Sequence, residues 1–308
     1  MDKRRVVLLL LVIVLSIFYT DTVKAKVAPG LEAVRSAAVT DAEEGFWKEI
    51  KDYLGLITRR EIATGEFYLY GSEKGYEKVL AVNDGYLPLY NNKTPDIIEA
   101  IVPASNMHIR PGRNRTATKY VVIHNTGMAS PKATAPLLSR SINNSTREAS
   151  WHFTVDDHEI YQQLGIDEVG WHAGAREGNE YGIGIEICSY QGIDFNGAMR
   201  NAAKLTAKLL IDYDLGLDAV KQHYDFSRKN CPQVLREANR WDEFLDLVKI
   251  EYLGQTKFSA VDFKWRSLSP KDLDDAGRII GAARTVHYEA KVTYNGETRV
   301  YKFTSNVK

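Results

Sequence analysis

The sequence predicts an α/β domain between Tyr120 and Gly254, and three observations carry that prediction. Short β-branched and aromatic runs at Tyr120–Ile123, Trp151–Val155 and Glu159–Gln162 alternate with stretches of helical character. Tyr181 to Cys188 alternates strictly, with Ile183, Ile185 and Ile187 on one side and Gly184, Glu186 and Cys188 on the other. Ala198–Tyr213 and the stretch after Pro232 carry apolar stripes at helical spacing. Glu186 is therefore set on the face of its strand opposite the isoleucines.

The remainder of the 308 residues divides into an N-terminal leader, 1–25, an accessory region, 26–119, and a tail, 255–308, flanking the domain at 120–254. With 44% apolar and 26% charged residues the chain has the composition of a globular protein with a sizeable core. Formal net charge is zero, which removes the basic sheath expected of a nucleic-acid partner. In the leader, Lys3, Arg4 and Arg5 precede an apolar run from Val6 to Tyr19, and Val23-Lys24-Ala25 provides small residues for cleavage. This pattern predicts a secretory signal peptide, with an uncleaved anchor as the alternative; the run is short for a membrane span, so no stable membrane association is expected once it is removed.

Taken in order, Leu31 to Leu54 predicts a helix, with Phe46, Trp47, Ile50, Tyr53 and Leu54 at three- and four-residue steps and Gly55 as its stop. Phe67–Tyr70 and Val79–Leu87 predict short strands, the latter folded at Asp84-Gly85. Tyrosines 68, 70, 76, 86 and 90 either line a sugar-binding face or fill those strands. Pro103–Thr118 is polar and basic and reads as a linker or edge segment. Thr134–Ile142 predicts a helix, Asp156-Asp157-His158 a polar turn, and Asp214-Leu215-Gly216 the end of the helix begun at Ala198. Pro232 opens one further helix, whose stripe runs through Leu235, Ala238, Trp241, Leu245 and Val248 to a stop at Gly254. In the tail, Val286–Phe303 is a hairpin pattern with Asn295-Gly296 at its turn, either a small β module or a packing appendage.

Chemistry concentrates in the predicted domain. A β-branched run delivers His124 at its end, and His223 precedes Cys231 by eight positions. Two imidazoles and a thiolate suffice for a hydrolytic zinc site, which takes three protein ligands and keeps a fourth position open. The second cysteine, Cys188, reads as a small buried apolar residue. Longer words surround these residues: Val122-Ile123-His124-Asn125-Thr126, Ala149-Ser150-Trp151-His152-Phe153, Glu168-Val169-Gly170-Trp171-His172-Ala173-Gly174, Gly178-Asn179, Ile183-Gly184-Ile185-Glu186-Ile187-Cys188, and His223-Tyr224-Asp225 through Lys229-Asn230-Cys231-Pro232. In this order they resemble the zinc-dependent N-acetylmuramoyl-L-alanine amidases of the type 2 amidase family, which includes phage endolysins and animal peptidoglycan recognition proteins.

The resemblance implies a mixed, partly parallel β-sheet flanked by helices, with Zn2+ at the cleft on the sheet face. It implies that His124, His223 and Cys231 hold the zinc and that Glu186 and Lys229 form the catalytic pair. Those roles make chemical sense: such a zinc polarises a carbonyl and acidifies water, Glu186 manages protons, and Lys229 faces the charge that grows on the carbonyl oxygen. Where some members of the family carry a catalytic tyrosine this chain has Trp151, which has no phenolic proton to give, so proton duty falls on Glu186. Trp151 is then a wall of the substrate groove or part of the core. His172, Arg176 and Asn179 are expected to meet substrate. His152 is expected to support the site from behind, and Asp225 either orients a ligand histidine or caps its loop.

The expectation is thus an exported hydrolase, secreted or held at the cell wall, that cuts the amide between N-acetylmuramic acid and L-alanine of peptidoglycan. Two alternatives stand beside it: a recognition protein that binds peptidoglycan without cutting it, although such proteins generally lack the metal-binding cysteine, and a peptidase acting within the stem. The sequence assigns no oligomeric state.

Overall fold

The computed structural model describes residues 29–70, 78–83, 85–91 and 95–308. The leader expectation for 1–25 and the turn residue Asp84 lie outside them. Among the described residues no helix is long and apolar enough to cross a membrane. The chain divides into two compact units, Met1–Lys51 and Asp52–Lys308, within its first helix, α1 (Pro29–Thr58).

The second unit is built on a six-stranded sheet of β3 (Ile98–Glu99), β4 (Tyr120–Asn125), β5 (Phe153–Val155), β6 (Ile160–Gln162), β7 (Gly182–Ile187) and β8 (Val220–Gln222), in the order β3-β6-β5-β7-β4-β8. Only the β5–β6 pair is antiparallel, so the sheet is mixed and mostly parallel. Parallel strands need crossovers, and helices α2 (Ala135–Ile142), α3 (Arg176–Tyr181) and α4 (Phe195–Asp212) lie in them. After β8 come α5 (His223–Ser227), α6 (Gln233–Glu237) and α7 (Trp241–Gln255).

Register divides the sheet into two chemical faces. On one, Val121 and Ile123, Phe153 and Val155, and Ile183, Ile185 and Ile187 are all fully buried with α4 and α7, through Ala198, Ala202, Leu205, Leu209, Phe244 and Val248. Each large side chain hidden there stabilises the fold by about 1.5–3 kcal/mol relative to exposure. On the other face, His124, Glu186 and Thr154 sit side by side across β4, β7 and β5. The apolar layer fixes the register, because a slip of one residue would turn every isoleucine toward the polar side.

Three local expectations are corrected. The predicted stop at Gly55 does not end α1, which continues to Thr58 because Ile57 extends the buried stripe of Tyr53 and Leu54. Gly55 is a helix-interior glycine with open space where a Cβ would stand, so Gly55→Ala is expected to raise stability by about 0.5–1 kcal/mol, read as an increase in denaturant midpoint. The single helix predicted after Pro232 is two helices, α6 and α7. Asn239 turns left-handed (φ 53°) and Arg240 N–H closes on the Leu235 carbonyl at 2.7 Å, breaking the stripe between Ala238 and Trp241. Third, residues 78–83 do not fold back onto the segment after Gly85. They form β2 (Lys78–Asn83) against β1 (Gly65–Tyr70), while Leu87 N–H reaches the Gly277 carbonyl and Ile279 N–H the Gly85 carbonyl, each at 2.8 Å.

The tail forms an antiparallel sheet of β9 (Asp262–Ser267), β10 (Thr285–Tyr294) and β11 (Glu297–Asn306), in the order β11-β10-β9. Asn295 and Gly296 both take positive φ, 49° and 81°, as a two-residue hairpin turn requires. This sheet is tied to the segment before the main sheet: Lys308 N–H donates to the Ile62 carbonyl at 2.8 Å and Ile62 N–H to the Asn306 carbonyl at 2.9 Å. Tyr53, Tyr90, Phe258 and Phe263 pack ring on ring between them, and Tyr53 donates its hydroxyl to the Ile250 carbonyl of α7 at 2.8 Å. Residues widely separated in sequence thus make one accessory layer, and Tyr90 is spent in its core.

Candidate functional site

The site is assembled where β4 and β7 end. His124 is the fifth residue of β4, and its Nδ1 lies 3.0 Å from His223 Nδ1 and 3.7 Å from Cys231 Sγ. His223 is the first residue of α5. Asp225 accepts the Gln222 N–H at 2.8 Å and so caps that short helix; its carboxylate goes to the cap rather than to a ligand histidine. Cys231 is held by Tyr224 N–H on its carbonyl at 2.9 Å, and Asn125, beside His124, accepts the Val234 N–H at 3.0 Å, tying the end of β4 to α6. All three donor atoms lie within 4.8 Å of one another and all three residues are buried.

That donor set fits zinc. Zn–N bonds of about 2.0–2.1 Å and a Zn–S bond of about 2.3 Å in a tetrahedron put nitrogens roughly 3.3 Å apart and nitrogen and sulfur roughly 3.6 Å apart. The separations of 3.0 and 3.7 Å are close to those values. Protonation agrees for the imidazoles: burial, then the neighbouring histidines, holds His124 well below the usual histidine range, and burial followed by Lys229 lowers His223 to about 4, so both are neutral donors at pH 7. The thiol is the opposite case. Burial, then the Glu186 carboxylate, pushes Cys231 up to about 12, so in this pocket it becomes a thiolate only against a cation.

Behind the donors lies a layer of imidazoles. His172 Nε2 faces the Gly182 carbonyl at 3.4 Å and its Nδ1 faces His124 Nε2 at 3.1 Å. With its own proton on Nε2, His172 accepts the proton of His124 Nε2, which leaves His124 Nδ1 as a lone pair aimed at the other two donors. His172 thus touches a candidate ligand while its edge lines the cleft. His152 is fully buried, takes the Gly184 N–H on Nδ1 at 3.0 Å, and its Nε2 lies 2.8 Å from both the Glu168 carbonyl and Arg115 Nη1, so both ring nitrogens are engaged within the protein.

These rings fit because β7 is glycine where they press on it. A Cβ on Gly184 would stand 2.8 Å from His172 Cγ and 3.0 Å from its Cδ2 and Nδ1, atoms of a rigid ring with no room to retreat. Gly184→Ala is expected to cost about 1–3 kcal/mol by overpacking, measured by chemical denaturation.

Glu186 stands beside His124 in register and lines a cleft of about 870 Å3 with Trp151, His172, His223 and Lys229. Its Oε2 is buried with no hydrogen-bond partner among the described residues. Burial raises its carboxyl to about 7, with Lys229 and Arg147 acting against the rise. A buried carboxylate oxygen without a donor is costly, and native structures tolerate few of them. Lys229 follows the left-handed Arg228 (φ 63°) at the end of α5 and is exposed in the cleft. Trp151 is half-buried: it packs on Val102, Ile109, Ile142 and Leu164, donates Nε1–H to Thr154 at 2.7 Å, and lines the cleft.

Two predicted contacts fall elsewhere. Asn179 uses its Oδ1 to accept the N–H groups of His172, at 3.0 Å, and Ala173, at 2.7 Å, so it shapes the loop that presents His172. Arg176 is exposed on α3 and is not among the cleft residues. The cation that sequence reasoning passed over is Arg147, which lines the cleft and whose charge reaches Glu186. It sits in the polar loop after α2, where no spacing or motif marks it.

The Amidase_2 family profile, described as N-acetylmuramoyl-L-alanine amidase, matches residues 114–234. The chain is 41% identical over 148 residues to N-acetylmuramoyl-L-alanine amidase CwlH of Bacillus subtilis (strain 168), covering 47% of this chain and 58% of that one. It is 40% identical over 151 residues to N-acetylmuramoyl-L-alanine amidase XlyA of the same organism, covering 48% and 50%. The chain therefore spans between half and three fifths of these relatives' length. Among solved structures, the catalytic domain of XlyA is 39% identical, covering 50% of this chain and 99% of that one, with a TM-score of 0.47. Residues 114–234 of the chain thus match the Amidase_2 family, described as N-acetylmuramoyl-L-alanine amidase.

Proposed function

We propose that this protein hydrolyses the amide between the lactyl carbonyl of N-acetylmuramic acid and L-alanine in peptidoglycan, with His124, His223 and Cys231 holding Zn2+. The observation that carries the reading is Glu186 Oε2, buried and unpartnered beside His124 in register and in the cleft that His223 lines, with the donor atoms of His124, His223 and Cys231 within 4.8 Å of one another. When bound, the zinc supplies Lewis acidity toward the scissile carbonyl and toward water.

The protein's own groups do the rest. Glu186 takes a proton from the attacking water as its oxygen bonds to the carbonyl carbon, and returns it to the nitrogen as the carbon–nitrogen bond breaks. The products are the lactyl carboxylic acid and a free alanine amine. Lys229, which lines the cleft, supplies positive charge toward the oxygen on which charge develops. His172 holds His124 in its donor tautomer, Asn179 holds the His172 loop, and Trp151 and Arg147 face the substrate. Arg147 suits a carboxylate of the stem peptide.

Peptidoglycan lies outside the cytoplasmic membrane, and the basic–apolar pattern of residues 3–19 supports export. We read residues 120–254 as the catalytic domain, with 26–119 and 255–308 as accessory regions. End-group analysis of digested muropeptides tests the reaction. Release of alanine amino termini, lost on exhaustive chelation, is the expected result; other amino termini would make it a stem peptidase, and none would make it a binding protein.

A further inference from the structure

A second cavity, of about 600 Å3, lies among α4, α7 and the segments at 56–63 and 86–88, and takes in none of the catalytic candidates. Four arginines line it, at 59, 60, 200 and 240, with three acids, Glu61, Glu243 and Asp246. Each acid is already engaged: Asp246 by Arg59 and Arg60, Glu243 by Arg240, and Glu61 by Lys308. Arg200 is different. Its guanidinium lies over the Tyr86 ring, 4.1 Å from the centroid, with no hydrogen-bond acceptor or ion-pair partner among the described residues. Burial disfavours its charge, and Glu251, Asp194 and Asp274 act on it only through space.

A guanidinium does not shed its proton in a protein, so Arg200 keeps five N–H donors, here open to the cavity and without a protein acceptor among the described residues. The ring face satisfies the cation but none of those donors. Apolar side chains, Leu56, Leu87, Met199 and Leu247 among them, make up much of the remaining wall. Ligand sites of this size pair apolar wall with polar groups that fix orientation, and here the charged residues other than Arg200 are paired with one another or with Lys308.

We propose that this cavity binds a small organic anion, a carboxylate or phosphate monoester on an apolar body, with Arg200 gripping the charged head and the apolar wall holding the body. The head is matched by two parallel N–H donors, which a planar guanidinium presents and an ammonium does not. The site stands independently of the amidase reading.

Calorimetric titration of the full chain tests it, with octanoate and octyl phosphate as anionic probes, octyl glucoside as the uncharged body and inorganic phosphate as the bare head. Binding of either anionic amphiphile at least tenfold tighter than octyl glucoside and inorganic phosphate is expected, and the tighter of the two identifies the head. Arg200→Gln is expected to weaken it tenfold or more, and Arg200→Lys to fall between. Leu247→Trp, which fills the chamber while leaving Arg200 in place, is expected to abolish it, so the test survives a failure of the Gln variant to fold. Absence of binding by both anions, equal binding of octyl glucoside, or affinity within twofold in Arg200→Gln or Leu247→Trp would overturn the proposal.

Discussion

Glu186→Gln is expected to lower the rate of alanine amino-terminus release by about 10²–10⁴-fold while leaving metal content and fold intact. The magnitude is that of removing a positioned proton carrier. Gln keeps the size of the side chain and its place beside His124 but has no site for the proton that must leave the water. Stability is the informative control. Glu186 Oε2 is a buried acceptor without a donor, so exchanging the carboxylate for a neutral amide of the same size lowers the desolvation cost of charge at that position. The thermal midpoint of the variant should therefore equal or exceed that of the wild type. A large loss of rate with no loss of stability separates a chemical role from a structural one. Turnover within a few-fold of wild type would instead take proton transfer away from Glu186.

Much of this arrangement was legible in the sequence because period and chemistry coincide in β7. A strand whose isoleucines all face one way leaves the intervening residue nowhere to point but the opposite face, so Ile183-Gly184-Ile185-Glu186-Ile187 fixes both the core layer and the position of the acid. The hairpin at Asn295-Gly296 was legible for a similar reason, since few residue pairs accept two positive φ values in succession. The break at Asn239 was not, because an apolar stripe continues in register on both sides of it and only the left-handed turn divides the helix. Strands β3 and β9 were also missed. Two residues at a sheet edge carry no period, and β9 alternates partly buried aromatics with charged residues against a neighbour more than twenty residues away, a pairing no local pattern announces. The loop role of Asn179 and the place of Arg147 in the cleft depend likewise on contacts between segments, here over seven residues and through a polar loop.

Cys231→Ala tests the other half of the centre, and its expected effect is as large: loss of the bound zinc equivalent and, with it, of measurable amidase activity. Truncation leaves only the two imidazoles of His124 and His223, one donor short of the three that a hydrolytic zinc site uses. The thiol also has a particular energetic position. Burial pushes it to about 12, so at pH 7 the chain without metal holds a neutral Cys231, and a cation must displace that proton in order to bind. Zinc affinity should therefore rise with pH across the neutral range in the wild type, because each ion bound releases the thiol proton, and the thiol share of that release should vanish in the Ala variant. Proton release counted in buffers of different ionisation enthalpy measures this directly. The apolar layer of Ile183, Ile185 and Ile187 lies on the far side of the sheet from Cys231, so the metal-free variant should keep its far-ultraviolet spectrum. It should lose the stabilisation that a ligand bound only to the native state confers, about 4 kcal/mol at a thousandfold excess over its dissociation constant. Retention of a full zinc equivalent by Cys231→Ala, with unchanged proton release, would place the ion on other donors.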